Sequence, residues 1–392
     1  MAGARIGTAP AATLEQLLAA KEIVVTCGAG GVGKTTTAAA LAAMAAVHLG
    51  GNVLVLTVDP ARRLADALGL EALGNVERQV DPVLFTGLGL EPRGELWAAM
   101  LDTKASWDDL IRRQAPDAAT RDAILANPLY TNITGRFVQS HDYVAMERLH
   151  EVHASGRYDL IVVDTPPSRS ALDLLDAPGR MTEFFAGRLI RWLTAPYRSR
   201  VFSAATRPLT HVADRILGAR FLSDITEFFV LLQSLESGFV ARAAEVQRVL
   251  ADRRTTFCVV TTLEPAPTRE AGFFVAELAE RRLHLGAVVV NKALPDWICE
   301  RAPTAAAEQL RRRAGEVAGE LAGPTRVPAE RLERVVRVIG DSYANYSVVA
   351  NREAEQRAEL SRTADVLVTV PLLEEPVHDL AGLLALGEQA WR

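Results

Sequence analysis

The feature that most constrains the fold is a series of short apolar runs, rich in β-branched residues, that recur between longer helical stretches. These runs are EIVVTC at 22–27, NVLVLTV at 52–58, YDLIVV at 158–163, TTFCVVTT at 255–262, LGAVVVN at 285–291 and DVLVTV at 365–370. Their hydrophobicity is continuous rather than alternating, which is typical of strands buried on both faces. PVLF at 82–85 is a further candidate strand. The pattern predicts an α/β fold with a mostly parallel sheet of about seven or eight strands, covered by helices on both faces.

Two long stretches interrupt this alternation, at about 93–150 and about 171–250. Both lack a convincing strand and carry apolar residues at the three-to-four spacing of a helix. We therefore expect one domain over residues 1–392, in which these stretches form an inserted helical subdomain. The large apolar side chains within 184–193 and 221–239 have two interpretations. Most are expected to form the core of a helical layer, and the alternative is that some line a groove for a hydrophobic client.

Composition and charge exclude several classes of protein. The net charge of −5 is spread without long same-sign blocks, so neither nucleic acid nor an anionic membrane is favoured as a partner. The first twenty residues do not resemble a signal peptide, and no stretch predicts a transmembrane helix. The three cysteines, Cys27, Cys258 and Cys299, are far apart and form neither a disulfide framework nor a zinc motif. We expect a cytoplasmic protein without a transmembrane segment.

Lysine is rare in this chain, whose basic residues are almost all arginine. The lysines are Lys21, Lys34, Lys104 and Lys292. Together with the abundance of alanine, this indicates a bias of genomic base composition. Each lysine that remains therefore carries more weight as a functional candidate.

The segment CGAGGVGKTTT at 27–37 contains the phosphate-binding pattern G-x4-G-K-[ST]. It follows a predicted strand and opens the Ala-rich helix TTTAAALAAMAA, so backbone N–H groups and the positive end of a helix dipole would face the phosphates. In this pattern Lys34 reaches the β- and γ-phosphates, and Thr35 holds Mg²⁺. The residues expected to contact the nucleotide here are Gly28, Ala29, Gly30, Gly31, Val32, Gly33, Lys34, Thr35 and Thr36.

Polar residues stand at the ends of three other predicted strands. Asp59 ends the strand in LTVDPARRL, Asp164 the strand in LIVVDTPPS, and Asn291 the strand in VVVNKAL. Side chains at the carboxyl edge of a parallel sheet point at the ligand crevice. A lone aspartate after a strand is more often a helix cap, but two of them near a phosphate loop favour a function. A guanine site would need N-K-x-D, and Leu294 occupies the fourth position, so we favour adenine.

Six motifs, taken in order, resemble those of the ArsA family. They are GAGGVGKTT, DPARRLADALG, DTPPSRSALDLL, TTLEPAPTREA, VVVNKALP and VPLLEEPV, and together they extend from residue 22 to about 380. The family comprises the arsenical-pump ATPases and the ATPases that deliver tail-anchored membrane proteins. The resemblance implies a P-loop dimer that closes around ATP and opens after hydrolysis.

The resemblance also implies roles for individual residues. Lys34 and Thr35 would bind phosphate and Mg²⁺, and Asp164 in switch II would hold Mg²⁺ through water. Asp59 in switch I would orient or activate the attacking water, which makes Asp59 and Lys34 the predicted catalytic residues. Phosphoryl transfer requires mainly positioning and charge neutralisation, so this short set is chemically sufficient.

Adenine binding and assembly follow from the same resemblance. Asn291 and the segment at Pro371 and Leu372 would flank the adenine. The chain carries one copy of the phosphate loop, so it must pair with a second ArsA-type chain to make a two-site assembly.

The chain departs from its relatives in cysteines and in switch II. It has no cysteine cluster of the arsenical-pump type, so an arsenite site is not expected, and no C-x-x-C pair of the kind that holds zinc in eukaryotic targeting members. In switch II, Pro166, Arg169 and Ser170 replace a small residue, Gly and His. The coupling of hydrolysis to movement is therefore open.

Ala29 is the other departure. In related dimers a lysine at this position crosses the interface to the γ-phosphate bound by the other subunit. Alanine cannot do so. Either the chain hydrolyses ATP slowly, or Arg62 or Arg63 supplies the missing charge, or a partner chain supplies a lysine. For the two arginines, a solvated first helical turn is the better interpretation. The partner chain is either a second copy or a paralogue that retains the lysine.

Three functions remain open from the sequence. The favoured one is an ATPase that binds and releases a hydrophobic or membrane-associated client through its helical subdomain. The second is the energising subunit of an anion transporter. The third is a regulatory subunit that binds nucleotide but has little activity alone.

Overall fold

The computed structural model describes residues 13–58, 62–130, 138–187 and 219–391. Its strands are Ile23–Cys27 (β1), Gly51–Thr57 (β2), Arg78–Gln79 (β3), Gly94–Met100 (β4), Leu160–Asp164 (β5), Thr255–Thr261 (β6), Leu285–Ala293 (β7) and Val366–Pro371 (β8). The six apolar runs of the sequence correspond to β1, β2, β5, β6, β7 and β8, as predicted.

The strands form one sheet in the order β3-β4-β2-β5-β1-β6-β7-β8. Neighbouring strands are parallel except for β3, which runs antiparallel to β4. Strand β1 lies between β5 and β6, with Thr26 paired to Asp164 on one side and to Cys258 on the other. The connection after β1 leads to β2 on one side of it, whereas the connection after its neighbour β6 leads to β7 on the other side. The carboxyl ends of β1 and β6 therefore lie at a topological switch point, where open α/β sheets bind ligands. The predicted fold class is confirmed.

Helices cover both faces of the sheet. Those before β5 are Leu14–Ala19 (α1), Lys34–His48 (α2), Arg62–Ala67 (α3), Pro82–Thr86 (α4), Thr103–Gln114 (α5), Ala118–Ala126 (α6) and Val138–Ala154 (α7). Those after β5 are Ser168–Ala186 (α8), Ala219–Gln233 (α9), Glu236–Leu250 (α10), Pro265–Glu280 (α11), Arg301–Arg312 (α12), Ala314–Thr325 (α13), Ala329–Leu360 (α14) and Leu380–Trp391 (α15). Among the described residues, no helix combines the length and apolar character needed to cross a membrane.

Helix α2, which follows the phosphate loop, is buried on nearly all sides between the sheet and α15. Its alanines favour the helical conformation and let neighbouring elements approach closely. The packing is tight enough that a Cβ atom on Gly387 of α15 would lie 2.3 Å from Cγ of Met44. The Ala-rich sequence therefore gives the loop a rigid support.

On the opposite face, helices α5 to α11 pack against the sheet through large side chains. Trp107, Tyr143 and Phe239 bring together α5, α7 and α10, with ring centroids 5.6–6.1 Å apart. Phe228 of α9 is also buried in this layer. The interpretation of the apolar stripe as core is confirmed for Phe228 and Phe239, and residues 188–218 lie outside the described ranges.

Two expectations about strands are wrong. PVLF belongs to helix α4, because Pro82 suits the first turn of a helix and the carboxylate of Asp81 accepts a hydrogen bond from Val83 N at 2.9 Å. The stretch expected to lack strands, about 93–150, begins with β4, which pairs with β2. The sequence of β4, GELWAAM, contains no β-branched residue, and pairing within the sheet outweighs its weak intrinsic preference.

A further helical stretch connects β7 to β8. It begins with a 3₁₀ turn at Asp296–Cys299 and continues through α12, α13 and the 32-residue α14. The Tyr343 hydroxyl of α14 donates to Ile298 O at 3.0 Å and joins this long helix to the turn. Both strands at the ends of this stretch carry residues of the predicted adenine site.

All three cysteines are free. Cys27 in β1 and Cys258 in β6 are buried, whereas Cys299 at the end of the 3₁₀ turn is half-buried. Burial raises the pKa of both buried thiols, to about 12 for Cys258. Within the described ranges, no three His, Cys, Asp or Glu side chains are placed to hold a metal ion together.

Candidate nucleotide site

The phosphate loop joins β1 to α2 and needs glycine where it touches the neighbouring strands. Gly28 has a φ of 151°, and a Cβ atom there would lie 2.0 Å from Val260 O of β6. Gly33 has a φ of 97°, and its Cβ would lie 2.3 Å from Nδ2 of Asn291 on β7. Both glycines of the motif are therefore explained by a backbone that approaches β6 and β7 closely.

Lys34, the first residue of α2, reaches back to the loop. Its Nζ donates to Ala29 O at 2.9 Å, and the residue is only 8% exposed. The free N–H groups at the start of α2 lie at the same place. Ala29 is 6% exposed and uncharged, so position 29 supplies no cation to a neighbouring chain. The loop thus combines a nearly buried ammonium with the positive end of a helix, which suits it to phosphate.

The second residue of α2 reaches the adjacent strand β5. Thr35 Oγ1 donates to Asp164 Oδ2 at 2.7 Å, and Thr57 Oγ1 at the end of β2 donates to the same oxygen at 3.0 Å. Asp164 is fully buried. A hydroxyl and a carboxylate in contact beside a phosphate loop are the oxygen ligands that Mg²⁺ prefers, so these residues fit the metal predicted for them.

We expect Asp164→Asn to lower the affinity for Mg²⁺ rather than for the nucleotide itself. An amide keeps the shape of the side chain but removes the charge that would attract the metal. Changes to groups that orient a metal and its ligands cost about 10–100-fold in metal affinity. ATP binding should be measured by calorimetry with Mg²⁺ and with EDTA, and the gain from Mg²⁺ should shrink in the variant. Asp173→Asn, at an exposed carboxylate paired with Arg180 on α8, is the control.

The predicted switch I segment follows the end of β2. Val58 N donates to Asp164 O at 3.0 Å, which holds the chain beside Asp164 immediately before Asp59. Residues 59–61, and with them Asp59, lie outside the described residues. Arg62 and Arg63 form the first turn of α3, and the structure does not describe their side chains.

The predicted switch II segment follows the end of β5. Thr165 Oγ1 donates to Thr26 O at 2.7 Å and ties the segment to β1. Helix α8 begins at Ser168 after Pro167, so Arg169 and Ser170 lie in its first turn, and their side chains are also not described.

The predicted adenine residues lie on two neighbouring strand ends. Asn291 Nδ2 donates to Val32 O of the phosphate loop at 2.8 Å, so this amide links β7 to the loop. Pro371 pairs with Ala293, and Leu372 N donates to Ala293 O at 3.0 Å. The structure thus brings Asn291 close to Pro371 and Leu372, and their contact with adenine stays a prediction.

Two residues near this site were missed from the sequence. Lys292 has a φ of 58° and donates from Nζ to Gly31 O at 3.1 Å. Glu353 of α14 accepts a hydrogen bond from Leu294 N at 3.0 Å. The scarcity of lysine could have drawn attention to Lys292, whereas a contact across 59 positions such as that of Glu353 leaves no local signal.

A chain with this loop, placed after the central strand of a parallel sheet and supported by a buried helix, is a P-loop nucleoside triphosphatase. The family model described as anion-transporting ATPase matches residues 21–316. The chain therefore belongs to the ArsA ATPase family.

Curated relatives agree with this assignment. An uncharacterized protein of Streptomyces coelicolor is 31% identical over 271 residues, which are 69% of this chain and 62% of the relative. The chain thus spans less than two thirds of that protein. ATPase GET3 of Podospora anserina is 26% identical over 296 residues, 74% of this chain and 79% of the relative. ATPase get3 of Aspergillus terreus is 28% identical over 272 residues, 68% of this chain and 72% of the relative.

Proposed function

We propose that this chain is a cytoplasmic ATPase that binds and hydrolyses Mg²⁺-ATP as one half of a dimer. The observation that carries the proposal is the hydrogen bond of 2.7 Å between Thr35 Oγ1 and Asp164 Oδ2 beside a complete phosphate loop. Membership of a family of ATPases supports it. In this proposal the nucleotide state controls the capture and release of a hydrophobic or membrane-associated client.

The described residues supply positioning and charge. Lys34 would leave Ala29 O and bind the terminal phosphates, while the loop amides and the start of α2 hold the remaining oxygens. Mg²⁺, when bound, neutralises phosphate charge, and Thr35 with Asp164 would hold it. Asp59 would orient the attacking water, and the hydrogen bond from its sequence neighbour Val58 to Asp164 supports this role. Loss of the γ-phosphate on hydrolysis would then release switch I and switch II.

The client would bind at the helical layer formed by α5 to α10. Phe184 in α8 is 45% exposed and packs against Phe229 of α9, with ring centroids 6.3 Å apart. A partly exposed aromatic pair suits contact with an apolar partner. A pull-down with Asp59→Asn protein and ATP would trap the complex and name the client.

Two other functions have a basis of their own. The family description, anion-transporting ATPase, favours an energising subunit, which would co-purify with a membrane channel rather than with a client. Ala29 favours a regulatory subunit that binds ATP but turns it over very slowly. Measurement of phosphate release by the purified chain separates this regulatory role from the other two.

Assembly should decide the rate. If the partner is a paralogue that retains the loop lysine, that lysine enters the pocket of this chain, and the partner's own pocket lacks it. A homodimer would lack both lysines, and loss of one preorganised donor slows a reaction by about 10²–10³-fold. We therefore expect a mixture of this chain with such a paralogue to release phosphate faster than the sum of the separate chains.

The gain should disappear when this chain carries Lys34→Ala, because that change empties the completed pocket. Ala29→Lys should accelerate a homodimer of this chain if the missing charge limits its rate. If this chain alone releases phosphate as fast as the mixture, the heterodimer hypothesis is contradicted, and Ala29 does not limit the rate. In that case Ala29→Lys would bring little gain.

A further inference from the structure

Helix α14, in the stretch between β7 and β8, carries an apolar stripe that stays exposed among the described residues. The stripe consists of Val335, Val338, Ile339, Tyr346 and Val349. It extends from residue 335 to residue 349, which is about 21 Å at the rise of an α-helix. Large apolar side chains that adjoin one another on one exposed face are typical of an interaction surface, whereas scattered ones are not.

The stripe is separate from the face through which α14 packs on its own protomer. Helix α14 packs against α12 and α13, and the buried residues in its middle part are Val336, Gly340, Ser347 and Ala350. A Cβ atom on Gly340 would lie 2.4 Å from Cγ of Arg311 on α12, so this packing is close. With 3.6 residues per turn, the buried face and the stripe are centred roughly 110° apart around the helix. Helix α14 therefore has a second face, which is apolar and available to a partner.

The spacing of the stripe suits a second helix laid along it. Positions 335, 342 and 349 recur every seven residues, the repeat that keeps one side of a helix against a partner helix. The stripe is nearly symmetric about Ser342, whose small side chain lets two helices approach. In an antiparallel pair centred there, Val335 lies opposite Val349 of the other copy, and Val338 lies opposite Tyr346. A two-fold contact of this kind uses the same surface on both chains.

The charges of α14 favour the antiparallel arrangement. Residues 329–340 contain three arginines and two glutamates, whereas residues 341–360 contain two arginines and four carboxylates. The first part of the helix is therefore net positive and the second part net negative, and the helix dipole has the same sign at each end. An antiparallel pair places the positive part of one copy opposite the negative part of the other, whereas a parallel pair would place like charges together.

We propose that α14 is a self-association surface, on which a second copy of this chain docks antiparallel through the stripe. Trp297 is exposed and packs on Tyr343 with ring centroids 6.2 Å apart, which widens the apolar surface beside the stripe. The contact uses none of the residues assigned to the nucleotide and needs no ATP. It is therefore additional to the pairing under Proposed function and does not depend on it.

Val338→Asp and Val348→Asp form a matched pair that tests the stripe. Val338 is 62% exposed within the stripe, whereas Val348 is 52% exposed on another side of the same helix, one turn from Arg352. Both changes place the same charge at an exposed valine. Burial of an unpaired carboxylate from each copy should raise the Kd of the dimer by at least about 100-fold in Val338→Asp. Val348→Asp, a surface substitution outside the contact, should change it by no more than about threefold.

Sedimentation equilibrium of the purified full chain, with EDTA and without nucleotide, measures this Kd. Wild type and Val348→Asp should be dimers in the micromolar range, and Val338→Asp should be a monomer. Thermal unfolding of the same samples checks that each variant is folded, because both valines are exposed in the single chain and neither change removes a core contact.

Disulfide cross-linking in a Cys299→Ser background tests the orientation of the helices. Chains with Val335→Cys and chains with Val349→Cys should be purified with tags of different size, mixed and oxidised. The antiparallel contact brings position 335 of one copy to position 349 of the other, so a mixed disulfide should form while neither variant links to itself. A disulfide between two Val335→Cys chains would overturn the antiparallel arrangement.

A monomeric wild type would overturn the inference. If Val338→Asp then lowered the Tm and Val348→Asp did not, the stripe would be covered by another segment of the same chain. Equal dissociation of the dimer by both variants would also overturn the inference, because added charge and not the stripe would be the cause. Calorimetry keeps the two proposals apart: Val338→Asp should bind Mg²⁺-ATP as wild type does. A wild type that forms the dimer but binds no nucleotide would overturn the proposed function alone.

Discussion

Lys34→Ala is expected to abolish measurable ATP binding. Lys34 is only 8% exposed and its ammonium donates to the loop carbonyl of Ala29, so alanine would leave the bound phosphates without this cation. Removal of one partner from a buried charge pair costs about 2–5 kcal/mol, which is roughly 30- to 5,000-fold in Kd. Calorimetry with ATP measures the loss directly.

Thermal unfolding provides a second measure of the same change. A ligand that binds only the folded state stabilises it by about 2.7 kcal/mol at a concentration of 100 Kd, so ATP should raise the Tm of wild type but not of Lys34→Ala. Lys104→Ala, at an exposed lysine on α5, should keep the full shift. Equal ATP affinity in Lys34→Ala and wild type would contradict the nucleotide assignment.

Asp59→Asn is expected to lower turnover by about 10²–10⁴-fold, as for loss of a general base or a group that positions water. ATP affinity should stay near that of wild type, because Asp59 is proposed to act on the water. The effect should appear in kcat, measured as phosphate release at saturating Mg²⁺-ATP by a wild-type assembly shown to be active.

The matched control for Asp59 is Asp66→Asn. Asp66 is an exposed aspartate on the adjoining helix α3, so it carries the same change of charge without a place at the site. Its turnover should equal that of wild type. Unchanged turnover in Asp59→Asn would remove this residue from the catalytic role.

The sequence predicts most of the sheet because its central strands are continuous apolar runs. The exceptions have physical reasons. In β4 the buried positions are largely alanine, and only pairing with β2 makes the segment a strand. In PVLF a strand-like composition is overridden by Pro82 and the cap at Asp81, both of which could have been identified from the sequence.

The residues of the candidate site also divide into those that the sequence predicts and those that it does not. The sequence predicts the loop and Thr35 because the phosphate-binding pattern fixes their spacing. It predicts Asp164 because β1 and β5 are parallel and end at the same edge of the sheet. The hydrogen bond from Asn291 to Val32 could not, since it depends on how closely β7 approaches the loop. The contact of Lys292 with Gly31 was not predicted, because it requires a left-handed residue at an irregular strand end. No local pattern in VVVNKAL indicates such a residue.

The burial of two of the three cysteines has a practical consequence. Thiol reagents react with the thiolate form of cysteine. In Cys27 and Cys258, burial keeps the reagent away and the raised pKa of the thiol keeps it protonated. Cys299 is thus a natural single labelling position, located in the turn between β7 and α12. In the proposed dimer, a fluorophore or spin label there would report distances between the two protomers as ATP is added and turned over, without an engineered cysteine.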